Sequence, residues 1–235
     1  NGKINIIIGT HALLQKSIKF HNLGLLIIDE EQHFGVAQKE QFKKMRNEIH
    51  ILTLSATPIP RTLALTVYGD LDVSVIDEMP PGRKPIITKN VPQAKVEQVY
   101  SFLRKQIDEG RQAYVVYPLV EDSEKVALKA ATTAFEDLSA GPLAGLRLAL
   151  LHGKLSADEK DAVMRRFRDG AVDVLVATTV IEVGIDVPNA TVMIVEHPER
   201  FGLSQLHQLR GRVGRGAEES FCILLGDVGP EAAAR

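Results

Sequence analysis

Short apolar runs alternate with polar segments along the chain. The runs cover residues 4–8, 23–29, 50–55, 73–77, 113–120, 146–152, 172–178, 191–196 and 221–225. They are rich in Val and Ile and apolar at successive positions, which is typical of strands buried on both faces of a parallel sheet. Between them, 93–109 and 157–168 carry apolar residues at helical spacing. The pattern therefore predicts an α/β fold in which helices cover both faces of parallel sheets.

The segment MPPGRKP at 79–85 interrupts this alternation with three prolines and a glycine. Proline fixes φ and removes a backbone donor, so this segment must be an extended connection between regular elements. We therefore predict a domain boundary here, with one domain over 1–82 and a second over 83–235.

Length, composition and net charge limit the classes of protein to which this chain can belong. The chain has 235 residues, of which 45% are hydrophobic, and this is enough for a sizeable core. Its net charge is −2, so a nucleic acid would have to be held by local basic patches and backbone amides. The single cysteine, Cys222, lies in the apolar run SFCILL and is predicted to be a buried, inert thiol. With no signal-peptide pattern and no apolar run of membrane-spanning length, we expect a cytoplasmic protein without a membrane partner.

Two acidic residues end the predicted strand in LLIIDEEQHF at 25–34. A buried parallel strand would deliver Asp29 and Glu30 to the carboxyl edge of a sheet, where ligands of α/β folds bind. Asp29 could hold a hydrated Mg²⁺ that bridges nucleotide phosphates, and Glu30 could orient and deprotonate an attacking water. The alternative is an ordinary strand end with solvated acids.

Hydroxyl residues follow two other predicted strands. In ILTLSATPIPRT at 51–62, Ser55 and Thr57 could hydrogen-bond the acidic strand beside them, or form an ordinary turn. In IIIGTHALLQ at 6–15, Gly9 and Thr10 open a predicted helix, where backbone amides and a hydroxyl suit a phosphate of a nucleic-acid backbone. Thr10 as a plain N-cap is the simpler alternative, and His11 alone proves nothing.

The segment VLVATTVIEVGIDVP at 174–188 runs from a strand into further polar residues. Thr178 and Thr179 could contact phosphate oxygens, and Asp186 could accept a hydrogen bond from a ribose hydroxyl. Gly184 lets the backbone turn sharply. Taken alone, these features would be caps and turns.

Arginines and glycines crowd together in QLHQLRGRVGRG at 205–216. The spacing predicts a helix over 202–215 with Leu203, Leu206 and Leu209 facing inward. Gln205, Gln208, Arg212 and Arg215 would then share another face. Guanidinium groups match phosphate oxygens and stabilise the charge that grows during phosphoryl transfer. A solvated basic helix face is the alternative, although glycines 211 and 214 would weaken such a helix.

In chain order, GTHALL, DEEQ, SATPIPRT, VATTVIEVGIDVP and QLHQLRGRVGRG resemble motifs Ib, II, III, V and VI of superfamily 2 helicases. The longer stretches GDLDVSVIDEMPPGRKPI and HGKLSADEKDAVMRRFRDG resemble the RecG family within it. The resemblance implies two RecA-like parallel-sheet domains of the P-loop NTPase fold, the first truncated at its N-terminus. Residues 1–82 would carry motifs Ib, II and III, and residues 83–235 motifs IV, V and VI.

The same resemblance implies ATP and Mg²⁺ as ligands, with ATP between the two domains. Asp29, which holds Mg²⁺ through water, Glu30 and the arginine fingers Arg212 and Arg215 would be catalytic. The implied nucleotide contacts are Gln32, Ser55, Thr57, Gly184, Asp186 and Gln208. The implied DNA contacts are Gly9, Thr10, His11, Gly153, Lys154, Thr178 and Thr179.

The activity implied is ATP-dependent translocation on branched or forked duplex DNA, which remodels stalled replication forks and recombination junctions. Single-stranded DNA-binding protein and other fork proteins would be further partners. The Mfd type of transcription-repair coupling translocase is an alternative, because DEEQHFGV is closer to some of its members. A non-catalytic module that binds DNA or a partner protein is another. No GxxxxGK[ST] pattern occurs in the chain, so we expect the phosphate-binding loop upstream of Asn1 and negligible hydrolysis by this chain alone.

Overall fold

The computed structural model describes residues 4–15, 17–30, 34–35, 38, 49–55, 72–118, 124–178 and 186–227. The chain divides into two compact units, Asn1–Val73 and Ser74–Arg235. Both contain a parallel sheet, which confirms the predicted α/β class. No helix in the described part of the chain is long and apolar enough to cross a membrane.

The first unit contains a two-stranded parallel sheet. Strand β1 (Leu25–Asp29) pairs with β2 (His50–Leu54), and the register places Asp29 opposite Leu54. A short 3-10 helix covers His11–Leu14. The strand predicted over 4–8 is wrong: this segment joins no ladder of the described residues, and Ile8 is 93% exposed. An apolar run becomes a strand only where a neighbour satisfies its backbone groups, and the sequence pattern does not report that neighbour.

The second unit contains a six-stranded sheet in the order β3-β8-β7-β4-β6-β5, with every neighbouring pair parallel. Its strands are β3 (Ile87–Val91), β4 (Gln112–Tyr117), β5 (Leu148–Leu151), β6 (Val174–Thr178), β7 (Ala190–Glu196) and β8 (Phe221–Leu225). Its helices are α1 (Val96–Asp108), α2 (Glu124–Ala140), α3 (Ala157–Arg168) and α4 (Leu203–Arg210). Two further 3-10 turns cover Gln93–Lys95 and Pro198–Arg200.

One predicted strand was wrong here, and one strand was not predicted. The run 73–77 is not a strand, and its Ile76 is 94% exposed. The chain instead adds β3 at the edge of the sheet, where Ile87 pairs with Phe221. The sequence ITKNV gave no strand signal because an edge strand can expose polar residues that a central strand cannot.

Successive residues of the central strands pack on opposite faces of the sheet. On one face, Tyr114 and Leu175 pack with Phe167 of α3 and Leu209 of α4. On the other, residues such as Val115, Val176 and Ile194 pack with Leu103 of α1 and Leu138 of α2. Helices therefore cover both faces, as the alternation of apolar and polar segments predicted.

Candidate functional site

The two acids of the first unit stand where β1 ends. Asp29 is the last residue of the strand and is exposed, whereas the preceding Ile28 is buried. The Glu30 backbone N–H still donates to the Leu54 carbonyl at 3.1 Å, and its φ of 51° then turns the chain out of the sheet. A left-handed backbone at a residue other than glycine costs about 1–3 kcal/mol and is common at functional sites. The turn places both carboxylates at the carboxyl edge.

Ser55 follows β2 and lies at the same edge, because Asp29 pairs with Leu54. This is the juxtaposition of Ser55 with the acids that the sequence predicted. Gln32 and Thr57, which were predicted beside them, lie outside the described residues.

The residues at this edge fit a hydrated magnesium ion. Asp29 offers an exposed carboxylate beside a second acid, Glu30. Among the described residues, no group of three or more His, Cys, Asp or Glu side chains could enclose a metal by itself. Protein magnesium sites use one or two carboxylates and complete the shell with water and substrate phosphates. The donor set therefore suits Mg²⁺ that arrives with a nucleotide.

Gly9, Thr10 and His11 are all exposed in the first unit. The Thr10 hydroxyl accepts a long hydrogen bond from the Ala12 N–H at 3.4 Å, so Thr10 is the N-cap of the 3-10 helix, the simpler of its two predicted roles. A Cβ added to Gly9 would lie 2.9 Å from the Leu13 side chain. A larger residue at this position would therefore require the Leu13 side chain to move, whatever the segment binds.

At the carboxyl edge of the six-stranded sheet, two polar atoms are buried without a hydrogen-bond partner among the described residues. They are Oγ1 of Thr178, which ends β6 and is 1% exposed, and Nδ1 of His152, which follows β5. Leu151 of β5 pairs with Ala177 of β6. His152 and Thr178 are the next residues in the sequence after these two, so they lie at the same level at the ends of adjacent strands. Buried polar atoms normally have a partner, and atoms left without one at a strand edge are candidates for ligand or water contacts. His152 was not among the predicted site residues.

Gly153 and Lys154 form the exposed turn that follows. The Lys160 ammonium donates to the Gly153 carbonyl at 3.0 Å. Burial and the charge of Lys160 keep the pKa of His152 below its usual value, so its imidazole is neutral near pH 7. The turn ends at Ser156, whose hydroxyl and backbone N–H form a capping box with Glu159 at the start of α3.

The arginine loop, residues 211–216, follows α4. The helix ends at Arg210, so the predicted helix over 202–215 is too long, and Arg212 and Arg215 lie in the loop. Gly214 has a φ of 74°, which an α-helix does not allow. Leu209 is buried as predicted, but Leu203 is 60% exposed and does not face inward.

Arg215 joins two of the predicted motifs. Its Nε donates to the Gly211 carbonyl at 3.2 Å, and its Nη1 donates to Oδ1 of Asp186 at 3.4 Å. Both side chains are partly exposed, and such pairs contribute at most about 1 kcal/mol. A phosphate could therefore replace Asp186 at small cost. Thr179 and Gly184, predicted beside Asp186, lie outside the described residues.

Tyr114 of β4, a core residue of the same sheet, was not among the predicted site residues. Burial raises the pKa of Tyr114 to about 12, while the charges of Arg212 and Arg215 act in the opposite direction. Its ring packs edge-to-face on Phe167, with 4.9 Å between the centroids. The run AYVVYPLV gave no signal for this electrostatic influence, because a tyrosine in a buried strand has the same sequence pattern whether or not charges act on it.

The helix before the loop carries Gln208 and Arg210. Gln208 is half-buried on α4. Nη2 of Arg210 lies 3.0 Å from Nδ1 of His207, one turn earlier in the same helix. The Arg210 side chain therefore contacts its own helix. The sequence had given Arg210 no role, and this contact within α4 is a structural one.

Comparison with known proteins shows what this arrangement is similar to. Residues 94–217 match the family described as helicase conserved C-terminal domain, and residues 1–66 match the DEAD/DEAH box helicase family. The ATP-dependent DNA helicase RecG of Thermotoga maritima is 56% identical over 236 residues, covering 100% of this chain and 30% of that protein. RecG of Synechocystis is 50% identical over 224 residues, covering 95% of this chain and 27% of that protein.

A solved structure of RecG bound to a three-way DNA junction has 53% identity and a TM-score of 0.75, and the match covers 100% of this chain and 30% of that one. The chain thus spans less than a third of the length of these relatives.

Proposed function

Since the chain belongs to the superfamily 2 helicases through its helicase conserved C-terminal domain, we propose that it contributes the motor core of a RecG-type DNA translocase. In this proposal, 1–82 is the C-terminal part of the first RecA-like domain and 83–235 is the second. ATP hydrolysis drives movement along branched or forked duplex DNA, and this movement remodels stalled forks and recombination junctions. The protein acts in the cytoplasm, with single-stranded DNA-binding protein among its partners.

The contact between Arg215 and Asp186 carries this proposal. It brings QLHQLRGRVGRG and VATTVIEVGIDVP together through a contact between residues 29 positions apart in the sequence. Such convergence is expected of a ligand site at the edge of a parallel sheet, and a solvated basic surface would not require it. The contact therefore supports a shared site for the two segments over isolated caps and turns.

The residues would divide the chemistry of ATP hydrolysis as follows. Glu30 orients the attacking water and accepts its proton on a carboxylate oxygen, while Asp29 holds the hydrated Mg²⁺. Arg212 and Arg215 donate hydrogen bonds to phosphate oxygens and stabilise the growing charge. When bound, Mg²⁺ would neutralise charge on the phosphates. Ser55, Asp186 and Gln208, with Gln32, Thr57 and Gly184, form the remaining nucleotide contacts.

DNA would be held mainly through its phosphates. Gly9, Thr10 and His11 of the first unit offer an exposed backbone, a hydroxyl and an imidazole. In the second, Gly153 and Lys154 offer an exposed backbone and an ammonium in the turn after β5, and Thr178 offers a buried hydroxyl where β6 ends, with Thr179 as a further proposed contact. These contacts do not read bases, which suits a translocase that must pass along any sequence. The relative at 53% identity was solved on a three-way junction, and this supports branched DNA as the substrate.

Strand remodelling by the full-length protein tests the proposal. We expect ATP-dependent conversion of a forked DNA, little response to a linear duplex of equal length, and loss of conversion in Glu30→Gln. An equal response to fork and linear duplex would contradict the RecG type and favour an Mfd-type translocase. Conversion that survives Glu30→Gln would remove the catalytic assignment of Glu30, and a wild type without ATP-dependent conversion would favour a non-catalytic binding module.

A further inference from the structure

The segment 80–86, here called the connecting segment, contacts the arginine loop within the second unit. Nε of Arg83 donates to the Gly214 carbonyl at 3.0 Å, across 131 residues of sequence. The contact is partly buried. Gly214 lies between Arg212 and Arg215, so Arg83 holds the backbone at the middle of the loop.

Apolar packing reinforces this hydrogen bond. A Cβ added to Gly214 would lie only 2.7 Å from Cγ1 of Ile86, so the loop and the connecting segment are in direct contact. The next residue, Ile87, donates its backbone N–H to the Ser220 carbonyl at 2.9 Å and begins β3. The connecting segment is therefore anchored to the sheet directly after its contact with Gly214.

The opposite side of the loop is also fixed. A Cβ added to Gly216 would lie 2.9 Å from the carbonyl oxygen of Pro188, which follows Asp186 by two residues. The arginine loop is thus held between the connecting segment and the segment that carries Asp186. A change on either side would move the guanidinium groups of Arg212 and Arg215.

We propose that Arg83 is a positioning residue for the arginine loop, which it acts on through the Gly214 carbonyl. The inference rests on the proposed function for its effect on ATP hydrolysis. Misplacement of a catalytic group by about 1 Å can reduce turnover by about a hundredfold. Arg83 would thus affect catalysis without touching the nucleotide.

Two substitutions separate this role from a direct contact of the Arg83 charge with phosphate. Arg83→Gln places an amide nitrogen at the chain position of Nε, so it keeps a donor for Gly214 and loses the charge. Arg83→Met provides a side chain of similar length that has neither the hydrogen-bond donor nor the charge. Arg104→Met is the matched control, because Nη1 of Arg104 donates to the Pro142 and Ala144 carbonyls at 3.0 Å in a different part of the unit.

DNA-stimulated ATP turnover of the full-length protein is the first readout. We expect Arg83→Met to lower kcat about 10- to 100-fold and to change KM for ATP less than about threefold. Arg83→Gln should recover most of the loss, and Arg104→Met should resemble the wild type. Arg83→Gln as inactive as Arg83→Met, or an unaffected Arg83→Met, would overturn the positioning role.

Hydrogen exchange of the peptide covering 206–216 is the second readout, and it does not depend on ATP turnover. The backbone N–H groups of Arg212 and Val213 donate to Leu209 and Arg210 at 2.9 and 3.3 Å, and loosening of the loop exposes them. We expect faster exchange in Arg83→Met and wild-type exchange in Arg83→Gln. Unchanged exchange in Arg83→Met would overturn the inference. If the wild type lacks ATP turnover, the proposed function fails, and exchange alone then decides the role of Arg83.

Discussion

Gln112 supports the second unit from inside the sheet, and replacing it with methionine tests this directly. The side chain is 4% exposed at the start of β4. Its Nε2 donates to the Phe167 carbonyl at 2.5 Å and to the Val172 carbonyl at 2.8 Å, while its Oε1 accepts from Asn189 at 3.3 Å. The side chain thus joins the end of α3, the approach to β6 and the start of β7. Methionine has a similar shape but cannot make these bonds.

The cost of Gln112→Met can be estimated from the partners it leaves behind. Phe167 still accepts from the Gly170 N–H at 3.1 Å, and Asn189 still donates to Gly110 at 2.9 Å. The Val172 carbonyl loses its side-chain donor, and an unsatisfied buried group costs about 1–3 kcal/mol. With the loss of the other bonds, less a small gain from apolar burial, we expect about 2–3 kcal/mol of destabilisation.

Thermal unfolding followed by circular dichroism measures this loss. A destabilisation of this size lowers Tm by about 4–12 °C in a domain of 150–250 residues. Gln106→Met is the control, because Nε2 of Gln106 donates to Glu109 at 3.0 Å on the exposed surface. We expect the control to shift Tm by less than about 2 °C. If Gln112→Met costs no more than Gln106→Met, the buried network does not stabilise the unit.

A glycine, a carboxyl group and a thiol of the second unit give further tests. Gly214→Ala would place a Cβ 2.7 Å from Ile86 at a residue whose φ is 74°. Gly145 has a φ of 85°, but a Cβ there would meet no atom within 4 Å, so Gly145→Ala should destabilise the unit less. Thermal unfolding of both variants measures the difference. Burial raises the pKa of Glu196, so the folded state binds its proton more tightly than the unfolded state. Stability should then fall as pH rises above about 4.5, a slope that denaturation of Glu196→Gln should lack. Burial raises the pKa of the Cys222 thiol to about 11, so alkylation at pH 8, followed by mass spectrometry, should be at least about a hundredfold slower in the native protein than in denaturant. Equal destabilisation by Gly214→Ala and Gly145→Ala would contradict the first expectation. An equal dependence of stability on pH in the wild type and Glu196→Gln would contradict the second, and alkylation of native Cys222 as fast as in denaturant would contradict the third.

The central strands and one helix were predictable because local sequence determines them. Strands β4, β6 and β7 are buried almost throughout, and a continuous run of Val, Ile and Ala suits that environment. Helix α3 has the predicted bounds, Ala157–Arg168, because Ser156 and Glu159 fix its start. The missed helix α2 contains many Ala and Thr residues, which give a weak amphipathic pattern.

The strand pairings at the edges were less predictable. Residues 4–8 and 73–77 are as apolar as the true strands, yet they join no ladder of the described residues, while the polar β3 does. Pairing depends on a neighbour supplied by a distant part of the chain. The sequence pattern reports the side chains of a segment and not the identity of that neighbour.

The residues of the candidate site also include some that the sequence pattern could predict and some that it could not. The positions of Asp29 and Ser55 at the edge of the two-stranded sheet, and of Thr178 at the edge of the six-stranded sheet, were predictable because each ends or follows an apolar strand. The contact of Arg83 with Gly214 was not, because it joins residues 131 positions apart through a backbone carbonyl. Tyr114 was missed because the residues beside it in the sequence are those expected around any core tyrosine.

ATP turnover stimulated by forked DNA tests the central claim that Glu30 and Arg215 act in hydrolysis. Full-length wild type, Glu30→Gln, Arg215→Ala and the control Arg165→Ala would be compared, since Arg165 is 65% exposed on α3. We expect kcat to fall by about a hundredfold or more in Glu30→Gln and by about a thousandfold in Arg215→Ala, with the control unchanged. Turnover by both variants within about twofold of the control would contradict the account.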